Sequence, residues 1–168
     1  MSNARSLGRD PIEEARSQWI SHGWSDAADG MAAVTSIFRA QQIVLQRIDA
    51  VLRPLDLTFA RYEILTLLSF TKTGSLPMTR MGALLQVHPT SVTSAVDRLE
   101  AQELVERIPH PTDRRAVLAS ITEAGRTRAL TATTALNAEI FEKLGITRSE
   151  ITQLRTVLHA LRSNAGDF

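Results

Sequence analysis

Cysteine is absent from the 168 residues, which excludes disulfides, thiolate nucleophiles and cysteine-ligated metals. No apolar run approaches the ~20 residues that a membrane-spanning helix needs. No secretory leader is evident either, so the expected location is the cytoplasm, with no membrane partner. The four histidines, His22, His88, His110 and His159, are scattered. They form no His-x-x-x-His pair and join no carboxylates at metal-ligand spacing, so no metal or other cofactor is expected. A glycine-rich phosphate loop and a Gly-x-Ser-x-Gly elbow are missing too, leaving an enzyme no recognisable machinery. Internal repeats and low-complexity segments do not occur. What remains is one 168-residue chain, long enough for a real core, with 43% apolar residues.

Net charge is also scarce. A formal +1 gives little general attraction to polyanions, so any such attraction depends on where the charges sit. Residues 107 to 128 carry Arg107, Arg114, Arg115, Arg126 and Arg128 against Asp113 and Glu123, a local excess of positive charge. Residues 10 to 29 carry Asp10, Glu13, Glu14, Asp26 and Asp29 against Arg16. Lysine is nearly absent, since 17 of the 19 basic residues are arginine, whose planar fork suits bidentate phosphate contacts.

The positive stretch belongs to a recognisable order of elements between residues 79 and 125. Thr79 is an N-cap candidate before Met81, Leu84, Leu85 and Val87, whose spacing predicts a helix of about two turns. His88-Pro89 breaks it, because proline disfavours α geometry in the preceding residue yet suits the first turn of a new helix. The second helix, from about Pro89 to Gln102, puts Val92, Ala95, Val96 and Leu99 on a core face. Thr90, Thr93, Ser94 and Asp97 form the opposite stripe, with Ser91 at its flank. Short hydroxyls let a helix backbone approach base edges in a major groove and can bond bases or phosphates; an ordinary solvated face would look the same.

Residues 104–108 and 116–121 then read as the strands of a hairpin. Its turn-rich tip is Pro109-His110-Pro111-Thr112-Asp113-Arg114-Arg115. Arginines at such a tip can enter a minor groove or grip phosphates, while Asp113 is read as structuring the turn. Helix, break, helix and basic hairpin together predict a winged helix-turn-helix in a mainly α chain with a small β-wing.

The residues also resemble a known family. Thr90-Ser91-Val92-Thr93-Ser94-Ala95-Val96-Asp97-Arg98-Leu99-Glu100, the Asp113-x-Arg115 of the wing, and Ile121-Thr122-Glu123-Ala124-Gly125 after it are similar to the MarR (multiple antibiotic resistance regulator) family. The likeness extends over roughly residues 30 to 163. It implies a homodimeric transcriptional regulator, usually a repressor, that binds a pseudo-palindromic double-stranded DNA operator and often releases it on binding a small aromatic effector. Carried over, Thr90, Ser91, Thr93 and Ser94 face the major groove, Arg98 and Arg114 join the DNA-binding set, Arg115 enters the minor groove, and Asp113 fixes the wing. Ser94 departs from the longer basic side chain common at that position. A branch of the family senses oxidants through cysteine, which this chain lacks. The competing reading is a winged-helix module that binds another protein and no DNA.

Outside the wing the pattern is helical. From about Ala27 to Leu52, Met31, Val34, Phe38, Leu45, Ile48 and Leu52 recur at threes and fours, with Ile37, Val44 and Val51 alongside. That face is wider than one small winged domain covers, which suggests contact with a second chain; an entirely intrachain bundle is the alternative. Pro54 ends the helix, Thr58 starts the next, and Leu76-Pro77-Met78 is a candidate edge strand. Thr122 opens a helix that Gly145 closes, and Thr147 with Glu150 forms a capping box for the last helix. The expected division is an N-terminal extension (1–26), a dimerisation helix (27–57), the winged helix-turn-helix (58–121) and C-terminal dimerisation helices (122–168). The N- and C-terminal helices would form the dimerisation platform. Both tryptophans, Trp19 and Trp24, lie in the extension and either pack on helices or wall a pocket. By the same resemblance Trp24, Phe38 and Tyr62 are the candidates to stack on an aromatic effector, with buried core aromatics as the plainer reading.

Overall fold

Asp10 begins the first helix because its carboxylate accepts the Ile12 N–H at 2.9 Å, while Pro11, with no N–H to lose, fills the first helical position. The computed structural model describes residues 8–113 and 116–168. Helix α1 (Pro11–Ser21) stops at His22, and Gly23 turns the chain at φ 85°. Arg16 Nε lies 2.6 Å from Asp29 Oδ1, and the Trp19 and Trp24 rings meet edge to face at 5.4 Å, so α1 is fastened to the start of α2 (Ser25–Leu52). Residues up to Ala50 form one compact unit and Val51 onward another. Within the first, Val34, Ile37, Phe38, Ile43 and Leu45 are exposed along α2.

The second unit starts with a 3₁₀ turn at Arg53–Leu55, imposed by Pro54, and a left-handed Asp56 at φ 51°. Thr58 caps α3 (Phe59–Ser69) by accepting the Arg61 N–H at 3.4 Å. That helix buries Tyr62, Ile64, Leu65 and Leu68. Strand β1 (Ser75–Pro77) runs straight into α4 (Met78–Leu85). The expected cap at Thr79 is therefore wrong: Pro77, at φ −61° and ψ 139°, already holds the extended geometry of an N-cap, and Thr79 lies inside the first turn. Gln86 ends α4 in the left-handed region at φ 55°. Helix α5 (Pro89–Ala101) follows, burying Val92, Val96 and Leu99. Ala95, expected in that core row, is only half-buried.

Strands β2 (Val105–Pro109) and β3 (Val117–Ile121) form the hairpin, and β1 adds to the free edge of β3, giving the order β1-β3-β2. Pro77, opposite Leu118, costs the sheet nothing because it sits on the edge strand. Thr122 accepts the Gly125 N–H at 3.0 Å and caps α6 (Glu123–Leu136). A π turn over Asn137–Phe141 ends the helical run short of Gly145, which instead takes φ 92° in the following connection. Helix α7 (Arg148–Asn164) opens on the expected capping box. There Thr147 N–H donates to Glu150 at 2.7 Å, and the bonds from Thr147 hold this carboxyl below the ordinary glutamate range. Leu154, Val157 and Leu161 are exposed along α7.

Two hydrogen bonds tie the start of α6 to the corner after α5. Thr122 N–H and Oγ1 donate to the carbonyls of Leu104 (3.1 Å) and Glu103 (2.8 Å), at the corner where α5 gives way to β2. Gly125 then lies against the same corner, where a Cβ would collide with the Leu104 carbonyl oxygen and approach Ile121 Cγ1 to 2.8 Å. Among the described residues no helix is long and apolar enough to cross a membrane, and no cluster of three His, Asp or Glu could hold a metal ion.

Candidate nucleic-acid interface

Helix α5 owes its exposed stripe to the burial of its other face. With Val92, Val96 and Leu99 packed inward, Thr90, Ser91, Thr93, Ser94 and Arg98 are all exposed. His88 sets where the helix starts, its Nδ1 taking the Thr90 N–H at 3.3 Å. Thr93 Oγ1 donates to the Pro89 carbonyl at 3.1 Å, so this hydroxyl proton is used within the helix and its lone pairs remain for an incoming donor.

The stripe borders a cleft of about 800 Å³ between α5 and the start of α3. Ser91, Ser94 and Arg98 line one side and Thr58 and Arg61 the other. Among the described residues neither Arg61 nor Arg98 has a carboxylate within 4.0 Å; Arg61 Nε reaches only Thr58 Oγ1, at 3.4 Å. Asp56 also lines the cleft, and Gln102 holds it by donating to its carboxylate (2.5 Å) and carbonyl (3.1 Å). Arg61 escaped the sequence reading, although a cation in a helix's first turn, against the dipole, was a signal.

The acidic members of α5 are neutralised from the wing. Arg107 on β2 bonds Asp97 at 2.5 Å and also Glu100, so two carboxylates of α5 are turned toward the sheet. Partial burial works against the Arg107 charge, but the two carboxylates outweigh it and hold the guanidinium above the ordinary arginine range. Arg128 donates to the Leu55 carbonyl at 2.5 Å. Two arginines of the positive stretch are thus engaged internally, and neither contact is visible in sequence because each partner lies on a different element that only the fold brings alongside. Replacing Arg107 with alanine should weaken duplex binding roughly tenfold at low salt by exposing two uncompensated carboxylates. Adding Asp97→Asn and Glu100→Gln should restore it; equal losses at low and high salt would argue against a charge effect.

At the wing tip the His110 N–H donates to the Ala116 carbonyl at 3.2 Å, and the Ala116 N–H to that of Asp113 at 3.1 Å, closing the turn. Asp113 is exposed. Arg114 and Arg115 lie outside the described residues. Of the effector candidates, Tyr62 is buried, its hydroxyl 3.2 Å from Thr133 and its ring stacked on Phe59 at 6.0 Å, which is the packing of a core residue. Trp24 and Phe38 are 54% and 62% exposed, so neither is core in a single chain.

Two helices joined by a tight left-handed turn, backed by a third and flanked by a three-stranded wing, define a winged helix-turn-helix protein. Residues 57–117 match the model described as MarR family. The chain is 30% identical over 129 residues to the HTH-type transcriptional regulator YhbI of Bacillus subtilis, covering 75% of this chain and 79% of that one. The crystal structure of Sco5413, a MarR family transcriptional regulator from Streptomyces coelicolor, superposes with a TM-score of 0.76 at 48% identity over 83% of this chain and 97% of that one. A mutant MarR from Escherichia coli complexed with operator DNA shares the fold, with a TM-score of 0.73 at 23% identity over 80% of this chain and 96% of that one. The chain belongs to the MarR family of transcriptional regulators.

Proposed function

We propose that the protein is a cytoplasmic, homodimeric repressor that reads a pseudo-palindromic operator, with α5 in the major groove and Arg115 in the adjacent minor groove. The observation that carries this reading is the exposed hydroxyl stripe Thr90-Ser91-Thr93-Ser94, free of bulky charge and flanked by Arg61 and Arg98, whose guanidiniums have no carboxylate within 4.0 Å among the described residues. Hydroxyls at the front of the helix contact base edges, and the flanking cations take phosphates of the two strands. Arg114 joins them from the wing, whose turn Asp113 shapes. The E. coli mutant complexed with operator DNA supports the DNA-binding part of this reading through the shared fold. Exposed apolar rows on α2 and on α7 support a second copy as the partner, in keeping with the two-fold symmetry of a palindrome. A small aromatic effector would stack on an aromatic side chain, with Trp24, Phe38 and Tyr62 as the candidates, Tyr62 being a buried residue of its own unit; its binding would release the DNA.

The test is a binding assay on genomic fragments selected by the protein, repeated across salt concentrations. Counterion release makes operator affinity fall steeply with salt. Arg115→Ala should lower affinity about tenfold or more and flatten the salt slope by roughly one phosphate while leaving the dimer intact. No duplex binding, with salt-insensitive capture of a protein instead, would favour the interaction-module alternative.

A further inference from the structure

The tripeptide His-Pro-Thr occurs twice, at residues 88–90 and 110–112. One copy opens α5 and the other opens the wing tip. In both, the imidazole Nδ1 stands 3.3 Å from the backbone nitrogen of the threonine two residues on. At the wing the same Nδ1 is also 3.1 Å from Asp113 N and 3.4 Å from Thr112 Oγ1.

The chemistry fixes the tautomer. A backbone N–H can only donate, so Nδ1 must carry a lone pair at both sites and the ring proton must sit on Nε2. The intervening proline has no N–H and a fixed φ, so the ring reaches past it to the first available donor. Asn, Asp, Ser and Thr usually perform this Asx-type capping. Here two imidazoles do so, one at each element proposed to touch DNA.

We propose that His88 and His110 are positioning residues for DNA reading: each, as a neutral Nε2-protonated imidazole, fixes the backbone that presents the contact residues beyond it. His88 places Thr90 and Ser91 at the front of the reading helix. His110 places Thr112 and Asp113, immediately before Arg114 and Arg115. This rests on the repressor reading above and adds to it the two groups that aim its contacts. Neither histidine touches DNA in this role, so the requirement is for an acceptor atom at that place and not for an imidazole.

The experiment uses the full chain and its selected operator. Long-range ¹H–¹⁵N spectra at about pH 8, where imidazoles are neutral, should show both rings protonated on Nε2 alone. His88→Ala and His110→Ala should each reduce operator affinity roughly fivefold to tenfold, the range expected for a lost cap. The double variant should show about the product of the two losses. His88→Asn and His110→Asn should recover affinity to within about threefold of wild type, because the amide oxygen accepts the same N–H. The proposal is overturned by an Nδ1–H tautomer at either ring, by alanine variants at wild-type affinity, or by asparagine variants no better than alanine, which would mean that the ring itself meets DNA. Failure of the wild-type chain to bind any duplex is a separate result: it sinks the repressor reading and this role with it, whereas loss of rescue in a binding-competent protein sinks this role alone.

Discussion

Gly125→Ala is expected to lower the melting temperature by about 10 °C, corresponding to roughly 3 kcal/mol of overpacking in a chain of this size. The added methyl has nowhere to go: on one side is the Leu104 carbonyl oxygen, backbone that cannot rotate away, and on the other Ile121 Cγ1 at 2.8 Å. Relief requires lifting α6 off the corner after α5, which also costs the Thr122 bonds to Glu103 and Leu104. Operator binding should fall with stability, because that corner sets the end of α5, the helix proposed to enter the major groove. Gly30→Ala provides the control. Gly30 is helical, a Cβ there meets nothing within 4 Å, and alanine should stabilise α2 by about 0.5–1 kcal/mol. Thermal melts of the two variants should therefore move in opposite directions, and a Gly125→Ala protein melting with wild type would refute the close-packing account.

The second large effect concerns Arg61 and Arg98. Changing both to alanine should weaken binding to operator and to random duplex alike, by roughly tenfold to a hundredfold at low salt. The slope of log affinity against log salt should drop by about two phosphates' worth. A phosphate contact carries no sequence information, so the ratio of specific to non-specific affinity should hold. Were that ratio to collapse while the slope stayed put, one of the two guanidiniums would have to be reading a base. An unchanged affinity would mean that the cleft between α3 and α5 lies off the DNA path.

Local chemistry was legible in the sequence. The Thr147–Glu150 capping box, the Thr58 and Thr122 caps, the edge strand at Pro77 and the hydroxyl stripe of α5 all depend on residues within a few positions of each other, and all stand as expected apart from a shift of one residue in the strand. Thr79 failed for a physical reason: a strand that ends on an extended proline can enter a helix with no side-chain cap, and Pro77 did so first. The charge pattern was harder to read. Arg107 and Arg128 looked like part of a positive surface, but one is held by Asp97 and Glu100 on α5 and the other by a carbonyl 73 positions away. Such pairings depend on how the fold sets one element against another, across a single turn for Arg107 and across 73 positions for Arg128, which neither periodicity nor composition encodes. Arg61 was missed for the same reason: its place against the helix dipole was a weak signal, and only the neighbouring α5 makes it part of a cleft.

The Leu104 carbonyl receives the Thr122 N–H and leaves no clearance above Gly125. Such a joint has no slack, so α6 and the tail of α5 must tilt as one piece, like a crank on its axle. If two copies pair through their terminal helices, any ligand that changes the angle between them would turn both cranks and alter the span between the reading helices, releasing the operator without touching a single groove contact.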